Sequence, residues 1–179
     1  MINLARTRFI VTAYSDNRWP VELTWWIETL TKDIKTRDDY RVSINKRHMI
    51  CARNVAILEG ALQSDPHFDW FVFADKDVRP DNRTARFLEL ETDVKCCQVE
   101  QGRKDAWSWP DDFHDSIWCT SRKVLESIAP PWFTEHKLNE TGTELIGCMC
   151  NTFRAKVLEA GFTISHGGWA EHDRDQSWC

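Results

Sequence analysis

The sequence predicts an α/β fold: a single domain with a mostly parallel central sheet flanked by helices. Three observations carry this. Trp70-Phe71-Val72-Phe73-Ala74 is a run of five apolar residues, four of them β-branched or aromatic, which is the composition of a strand buried on both faces. Segments with strand and helix patterns alternate along the chain, which implies parallel strands joined by right-handed crossovers. The length, 179 residues, fits one domain that can bury a substantial core without staples.

Taken in order, Arg8 to Ala13 reads as the first strand, followed by a polar loop from Tyr14 to Arg18. Pro20, suited to a first helical turn, opens an amphipathic segment to about Lys35, with Val21, Trp25, Ile27, Leu30 and Ile34 as the expected buried positions. Tyr40 to Ile44 is a short second strand. Ile50 to Gln63 is a second helix, whose Val55, Leu58, Ala61 and Leu62 fall near helical spacing. The central strand follows and ends in Asp75-Lys76-Asp77. Asp81 is placed to cap a third helix, roughly Asn82 to Glu89, and Val94 to Val99 is the next strand.

From Glu100 to Asp115 the chain turns polar, aromatic and aperiodic, so a long loop is expected there, functional or disordered, with Trp107 and Trp109 facing the cleft or else tucked beneath the loop as a satellite core. Ser116 to Thr120 reads as a strand. Ser121 caps a short helix that runs to Ile128, and Pro130-Pro131 stops it. Thr143 to Ala160 forms a last helix, terminated by Gly161 just past its end. The tail from Phe162 to Cys179 is rich in His, Gly, Trp and acids.

The net charge of −5 and the lack of a basic block argue against a nucleic-acid polymer or an anionic membrane as the main partner. No apolar run is long enough to span a bilayer. Seven Cys occur without a Cys-x-x-Cys pair or a signal-peptide pattern, so the expectation is reduced thiols and a cytoplasmic protein. Ten Trp is a high count; such rings pack in cores, and they also stack on sugars.

The chemistry concentrates at the end of the central strand. In extended chain, residues i and i+2 point to the same side, so Asp75 and Asp77 can converge while Lys76 points away. Open parallel sheets bind ligands at the carboxyl ends of their strands. Two hard oxygen ligands there suit Mg²⁺ or Mn²⁺, with a substrate phosphate completing the shell. The plain alternative is an acidic turn that ends a strand. Arg53, within the second helix, could clamp a diphosphate or ribose by bidentate bonds, and Asn54 could orient a loop; a solvated helix face explains the pair equally well. No dinucleotide-binding or P-loop glycine pattern is present, nor the serine-hydrolase elbow, so those enzyme classes are disfavoured.

Together these pieces resemble the GT-A glycosyltransferases, in particular small glycosyltransferase-2-like proteins of bacteria and phages. The resemblance covers most of the chain. It rests on the strand Phe9 to Ala13 with Tyr14, on Ala52-Arg53-Asn54, and on Phe68 through Asp77 followed by Pro80. Pro131-Trp132-Phe133, the helix Phe153 to Ala160 running into Gly161-Phe162, and a His ten residues later complete it. It implies a GT-A-like domain with a nucleotide-binding half, 1–99, and an acceptor and metal half, 100–179. The implied activity is metal-dependent transfer of a sugar from a UDP- or GDP-sugar to a glycan or other small acceptor. Asp75 would contact the ribose or a metal-bound water, Asp77 would ligate Mn²⁺ or Mg²⁺, and His172 would complete the shell, with His166 as the fallback. Thr12, Tyr14 and Arg53 would lie near the nucleotide.

One departure from that family matters. Relatives carry an acidic pair at the start of the last helix as catalytic base, and counting back from Gly161 puts Met149 and Cys150 there. A thiol replaces a carboxylate base at neutral pH only if its pKa is lowered. Glu144, or Asp111 or Asp112 from the loop, would then supply the base. Two other readings compete: a nucleotide-sugar or glycan binder that has lost the base, and a phosphohydrolase with the first Asp as nucleophile.

Overall fold

The computed structural model describes residues 2–13, 20–34, 41–45, 48–100, 113, 115–134, 137–138, 140–141, 145–147 and 149–172. The expected loop with Trp107, Trp109, Asp111 and Asp112 lies outside them, as do Tyr14 and Glu144.

The chain starts with β1 (Thr7–Ala13), α1 (Val21–Thr31), β2 (Arg41–Asn45), α2 (Met49–Val55) and a π-helical segment (Ala56–Leu62). Then follow β3 (Trp70–Asp75), β4 (Val78–Pro80), a 3₁₀ turn (Thr84–Glu89), β5 (Val94–Glu100), β6 (Ile117–Ser121) and α3 (Arg122–Ser127). A small hairpin, β7 (Lys137–Leu138) and β8 (Leu145–Gly147), precedes α4 (Met149–Glu159) and β9 (Ile164–His172).

One seven-stranded sheet, in the order β2-β1-β3-β6-β5-β9-β4, organises the molecule. Strands β1, β2, β3, β5 and β9 run one way, while β6 and β4 run against them. The sheet is therefore mostly parallel, as expected. The strict crossover alternation ends at β5, because β6 pairs antiparallel with both β3 and β5.

Both faces of the sheet are covered, which explains why β1 and β3 read as apolar runs rather than alternations. Ile10, Phe71 and Phe73 face a core cluster shared with α2, the π segment and α4, centred on Trp118, Phe113, Phe133 and Phe153. Phe9, Val11, Val72 and Ala74 face a second cluster under α1.

Several sequence expectations are corrected here. On α1 the buried stripe is Leu23, Trp26 and Ile27, while Val21 and Trp25 are 50% and 61% exposed. The sheet selects this stripe because Trp26 fits between Phe9, edge-on at 6.2 Å, and Phe87, stacked at 6.3 Å. The second helix is not uniform. Its latter half widens into π geometry, so Gly60 lies against Ile10, where an added Cβ would stand 3.2 Å from Cδ1, and Leu58 turns outward. The third helix is a 3₁₀ turn starting at Thr84, and the last helix starts at Met149 because Leu145–Gly147 pairs in the hairpin. Two end signals act as read. The Ser121 Oγ accepts from the Val124 N–H, and Gly161, at φ 81°, closes α4 with its N–H on the Leu158 carbonyl while Phe162 N–H reaches Val157. Among the described residues, no helix is long and apolar enough to cross a membrane.

Candidate active site

The parallel pairing of β1 and β3 sets Thr12 beside Asp75 at the carboxyl end of the sheet. The Thr12 hydroxyl donates to Asp75 Oδ1 at 2.6 Å, and Arg53 Nη2 donates to Asp75 Oδ2 at 2.5 Å. Arg53 Nη1 stands 2.6 Å from Asp115 Oδ2 and 2.9 Å from the sulfur of Met149, and the guanidinium lies over the Phe133 ring. Arg53 is 5% exposed and Asp75 3%. The sequence left Arg53 open between a ligand clamp and a solvated helix face; in the structure it is neither solvated nor splayed. It is held between two carboxylates, one near each arm of the guanidinium.

Asn54, the next residue, does what a loop-orienting amide can do. Its Oδ1 accepts from the N–H groups of Trp132 and Phe133 at 3.0 and 3.1 Å, and its Nδ2 donates to the Phe133 carbonyl at 2.8 Å. The Ala52-Arg53-Asn54 triplet thus joins the acids at the strand end to the Pro131-Trp132-Phe133 corner.

After Asp75 the chain turns sharply, with Asp75 N–H on the Ser116 carbonyl and Lys76 N–H on that of Thr12. Lys76, expected to point away from the acids, is buried at 2% exposure. Asp77 emerges on the far side of the turn, just ahead of β4. The antiparallel pairing of β4 with β9 sets Val78 opposite His172. His172 Nε2 then lies 3.5 Å from Asp77 Oδ1, too long for a good hydrogen bond, and that buried oxygen accepts none. Burial pushes the Asp77 carboxyl above the usual carboxylate range, and the charge of Asp75 pushes the same way; His172, a hydrogen bond from the backbone of Asp77 itself and Arg53 pull it partly back.

Among the residues read from sequence, the structure therefore groups Thr12, Arg53 and Asp75, and separately pairs Asp77 with His172. His166 sits earlier on β9, its Nε2 buried without a hydrogen-bond partner. Tyr14, Asp112 and Glu144 fall outside the described residues. Asp115 and Met149 escaped the sequence reading as partners of Arg53. The β3–β6 register, Ala74 opposite Ile117, brings Asp115 to the strand end, and only a known pairing reveals that. The space enclosed by Thr12, Arg53, Phe73, Asp75, Asp115 and Trp118 is about 10 Å³, on the order of one water molecule. The Arg53 cluster is a packed floor.

Among the described residues, no three His, Cys, Asp or Glu side chains cluster to form a ready metal site. Asp77 and His172 nevertheless fit a divalent cation. One buried carboxylate oxygen lacks a partner, its charge is poorly compensated, and an imidazole nitrogen faces it. Mg²⁺ and Mn²⁺ commonly take few protein ligands and fill the rest of the shell with water and substrate phosphate.

No protein-family model matches this chain, and no curated protein matches it. Solved structures do. A protein from STIV is similar over 94% of this chain and 82% of its own, at 20% identity and a TM-score of 0.55. A Drosophila β-1,4-galactosyltransferase 7 mutant, in complex with manganese, UDP-Gal and xylobiose, is similar over 97% of this chain and 76% of its own, at 12% identity and a TM-score of 0.54. At such identities the likeness is one of fold: this chain has a mixed α/β fold of the GT-A type, with a mostly parallel central sheet.

Proposed function

We propose that the protein is a metal-dependent glycosyltransferase that takes a UDP- or GDP-sugar and transfers the sugar to a glycan or another small acceptor. The observation that carries this reading is the under-satisfied Asp77 carboxylate facing His172 at the carboxyl edge of a GT-A-type sheet, beside the Arg53-ordered Asp75. The galactosyltransferase of the same fold was solved with manganese and UDP-Gal, which supports the same ligand class here.

Asp77 and His172 would hold the cation; Mn²⁺ suits the mixed carboxylate and imidazole donors better than Mg²⁺ does. When bound, the metal offsets the charge that builds on the leaving diphosphate. Asp75, oriented by Thr12 and Arg53, would contact the ribose or a metal-bound water through its remaining lone pairs. Arg53 and Thr12, one on each oxygen, hold that carboxylate in one orientation. Tyr14 would line the nucleotide side, and Glu144 or Asp112 would take the acceptor proton. The thiols of Cys96, Cys97 and Cys119 are buried, and burial pushes those of Cys97 and Cys119 up, which makes these two unreactive and suits a reducing, cytoplasmic setting.

A second reading, nucleotide-sugar binding without turnover, draws on Met149. It stands where the resemblance expects an acid, and its sulfur packs against Arg53. The phosphohydrolase reading draws little support, because a nucleophilic Asp75 would need an exposed oxygen and both of its oxygens are engaged.

A thermal-shift panel of nucleoside diphosphates and nucleotide sugars, with and without Mn²⁺, tests the proposal, and product analysis then separates transfer from binding alone. Mn²⁺-dependent stabilisation by UDP or GDP that disappears in Asp77→Ala is expected. Equal nucleotide binding by Asp77→Ala and wild type in Mn²⁺ would refute it.

A further inference from the structure

His166 and His172 are six residues apart on β9, an even spacing that in a regular strand puts both side chains on one face. The structure puts them on opposite faces. On β5, Val94 and Cys96 belong to the first core cluster, while Cys97 and Val99 belong to the second, as plain alternation requires. At first β9 keeps step: Ile164 stands opposite Val94 and packs on the first cluster, and His166 stands opposite Cys96. Then the register shifts. Gln98 faces Trp169 and Val99 faces Ala170, so β9 uses three residues where β5 uses two. Ala170 accordingly lies in the second cluster, although its parity is that of Ile164 and His166. His172, two residues on and opposite Val78 of that cluster, follows Ala170 and comes to Asp77.

The bulge is held at one residue. Gly168 has φ 69°, and a Cβ there would meet the Thr84 carbonyl oxygen at 2.6 Å and that of Arg83 at 2.7 Å. Thr84, fully buried, locks the opposite side: its hydroxyl donates to the Trp169 carbonyl and accepts from the Asp81 N–H. Gly167 differs, because the nearest atoms a Cβ there would meet belong to the Leu90 side chain, at 3.3 Å, and not to backbone. We propose that Gly168 is the positioning residue of the metal site: the bulge it permits beneath Thr84 turns His172, and not His166, toward Asp77. This rests on the metal reading above and adds what decides which histidine serves it.

The test follows Mn²⁺ binding by the electron paramagnetic resonance signal of free Mn²⁺, with no catalysis required. Gly168→Ala should weaken binding by roughly tenfold or more, the range seen when groups that orient a ligand are lost. In a His172→Ala background it should have no further effect, and Gly167→Ala should stay within about twofold of wild type. If Gly168→Ala fails to fold, Thr84→Val, which breaks the lock without a backbone clash, takes its place in the same cycle. Unchanged affinity, or the same loss with and without His172, overturns the proposal. A metal-free readout separates it from the metal reading: the nuclear Overhauser contact between the His172 ring and the Val78 methyls. If wild type binds no Mn²⁺, the metal reading falls. Loss of that contact in Gly168→Ala, with its retention in Gly167→Ala, then still upholds the role of the bulge in placing His172; its retention in both refutes it.

Discussion

Asp75 and Asp77 stand one residue apart, yet their carboxylates live in opposite circumstances. Asp75 is built into a closed network with Thr12 on one oxygen, Arg53 on the other, and Asp115 balancing the second arm of the guanidinium. Asp77, after the turn, keeps a buried oxygen that accepts nothing, and an imidazole nitrogen of His172 stands 3.5 Å from it. The first carboxylate has a protein partner on each oxygen. The second has one buried oxygen without a hydrogen bond, which is costly unless a ligand completes it. The contrast locates function more sharply than the Asp-x-Asp spacing does.

The comparison breaks most visibly at Arg53. Arg53→Met keeps much of the volume but strands two buried carboxylates, and removing one partner of a buried ion pair costs about 3–5 kcal/mol. Urea denaturation should show that loss. A change below about 1 kcal/mol would mean that Asp75 and Asp115 regain water easily and that the network is not closed.

Asp77→Asn should behave in the opposite way. Without metal its melting temperature should equal or exceed that of wild type, because the amide removes a buried charge that Asp75 opposes. With Mn²⁺ and a nucleoside diphosphate at a hundredfold excess over Kd, wild type should gain about 2.7 kcal/mol and the variant almost none. A lower melting temperature in the metal-free variant would show that the His172 contact already compensates Asp77.

Asn54→Ala asks whether satisfaction matters without charge. It strands the N–H groups of Trp132 and Phe133 and should cost about 1–3 kcal/mol by denaturant melts. The loss should exceed that of Asn54→Asp, which retains the acceptor.

The smallest effect is expected at Asp93, a mostly exposed carboxylate that accepts from both the N–H and the hydroxyl of Thr163 at 2.8 Å at the entrance to β9. Those bonds hold its carboxyl below the usual range. A lowered folded-state pKa contributes stability that is present above the unfolded value, near 3.9, and is lost as pH falls through the folded one. With solvent screening, Asp93→Ala should cost less than about 1 kcal/mol at pH 7. The gap from wild type should stay flat from about pH 5 to 7 and close in acid below about pH 4. A gap that widens in acid would reverse the sign argued here.

The chain alone determined the central strand and what ends it. A short run of Trp, Phe and Val, rich in β-branched and aromatic residues, suits a strand buried on both faces, and the acids mark where it ends. It also determined local punctuation: Ser121 as a cap and Gly161 as a stop act through neighbours within a few residues, so their chemistry is readable in place. The buried stripe of α1 was not readable, because Val21, Trp25 and Trp26 are all apolar and only Phe9 and Phe87 decide which ring is enclosed. Nor was Asp115, which reaches Arg53 through the antiparallel register of β6 on β3. The divergence of Asp75 and Asp77 into a satisfied and an unsatisfied carboxylate is tertiary too. It depends on α2 delivering Arg53 to one acid and on a one-residue bulge delivering His172 to the other, and neither long-range delivery leaves a mark in the three residues Asp75-Lys76-Asp77.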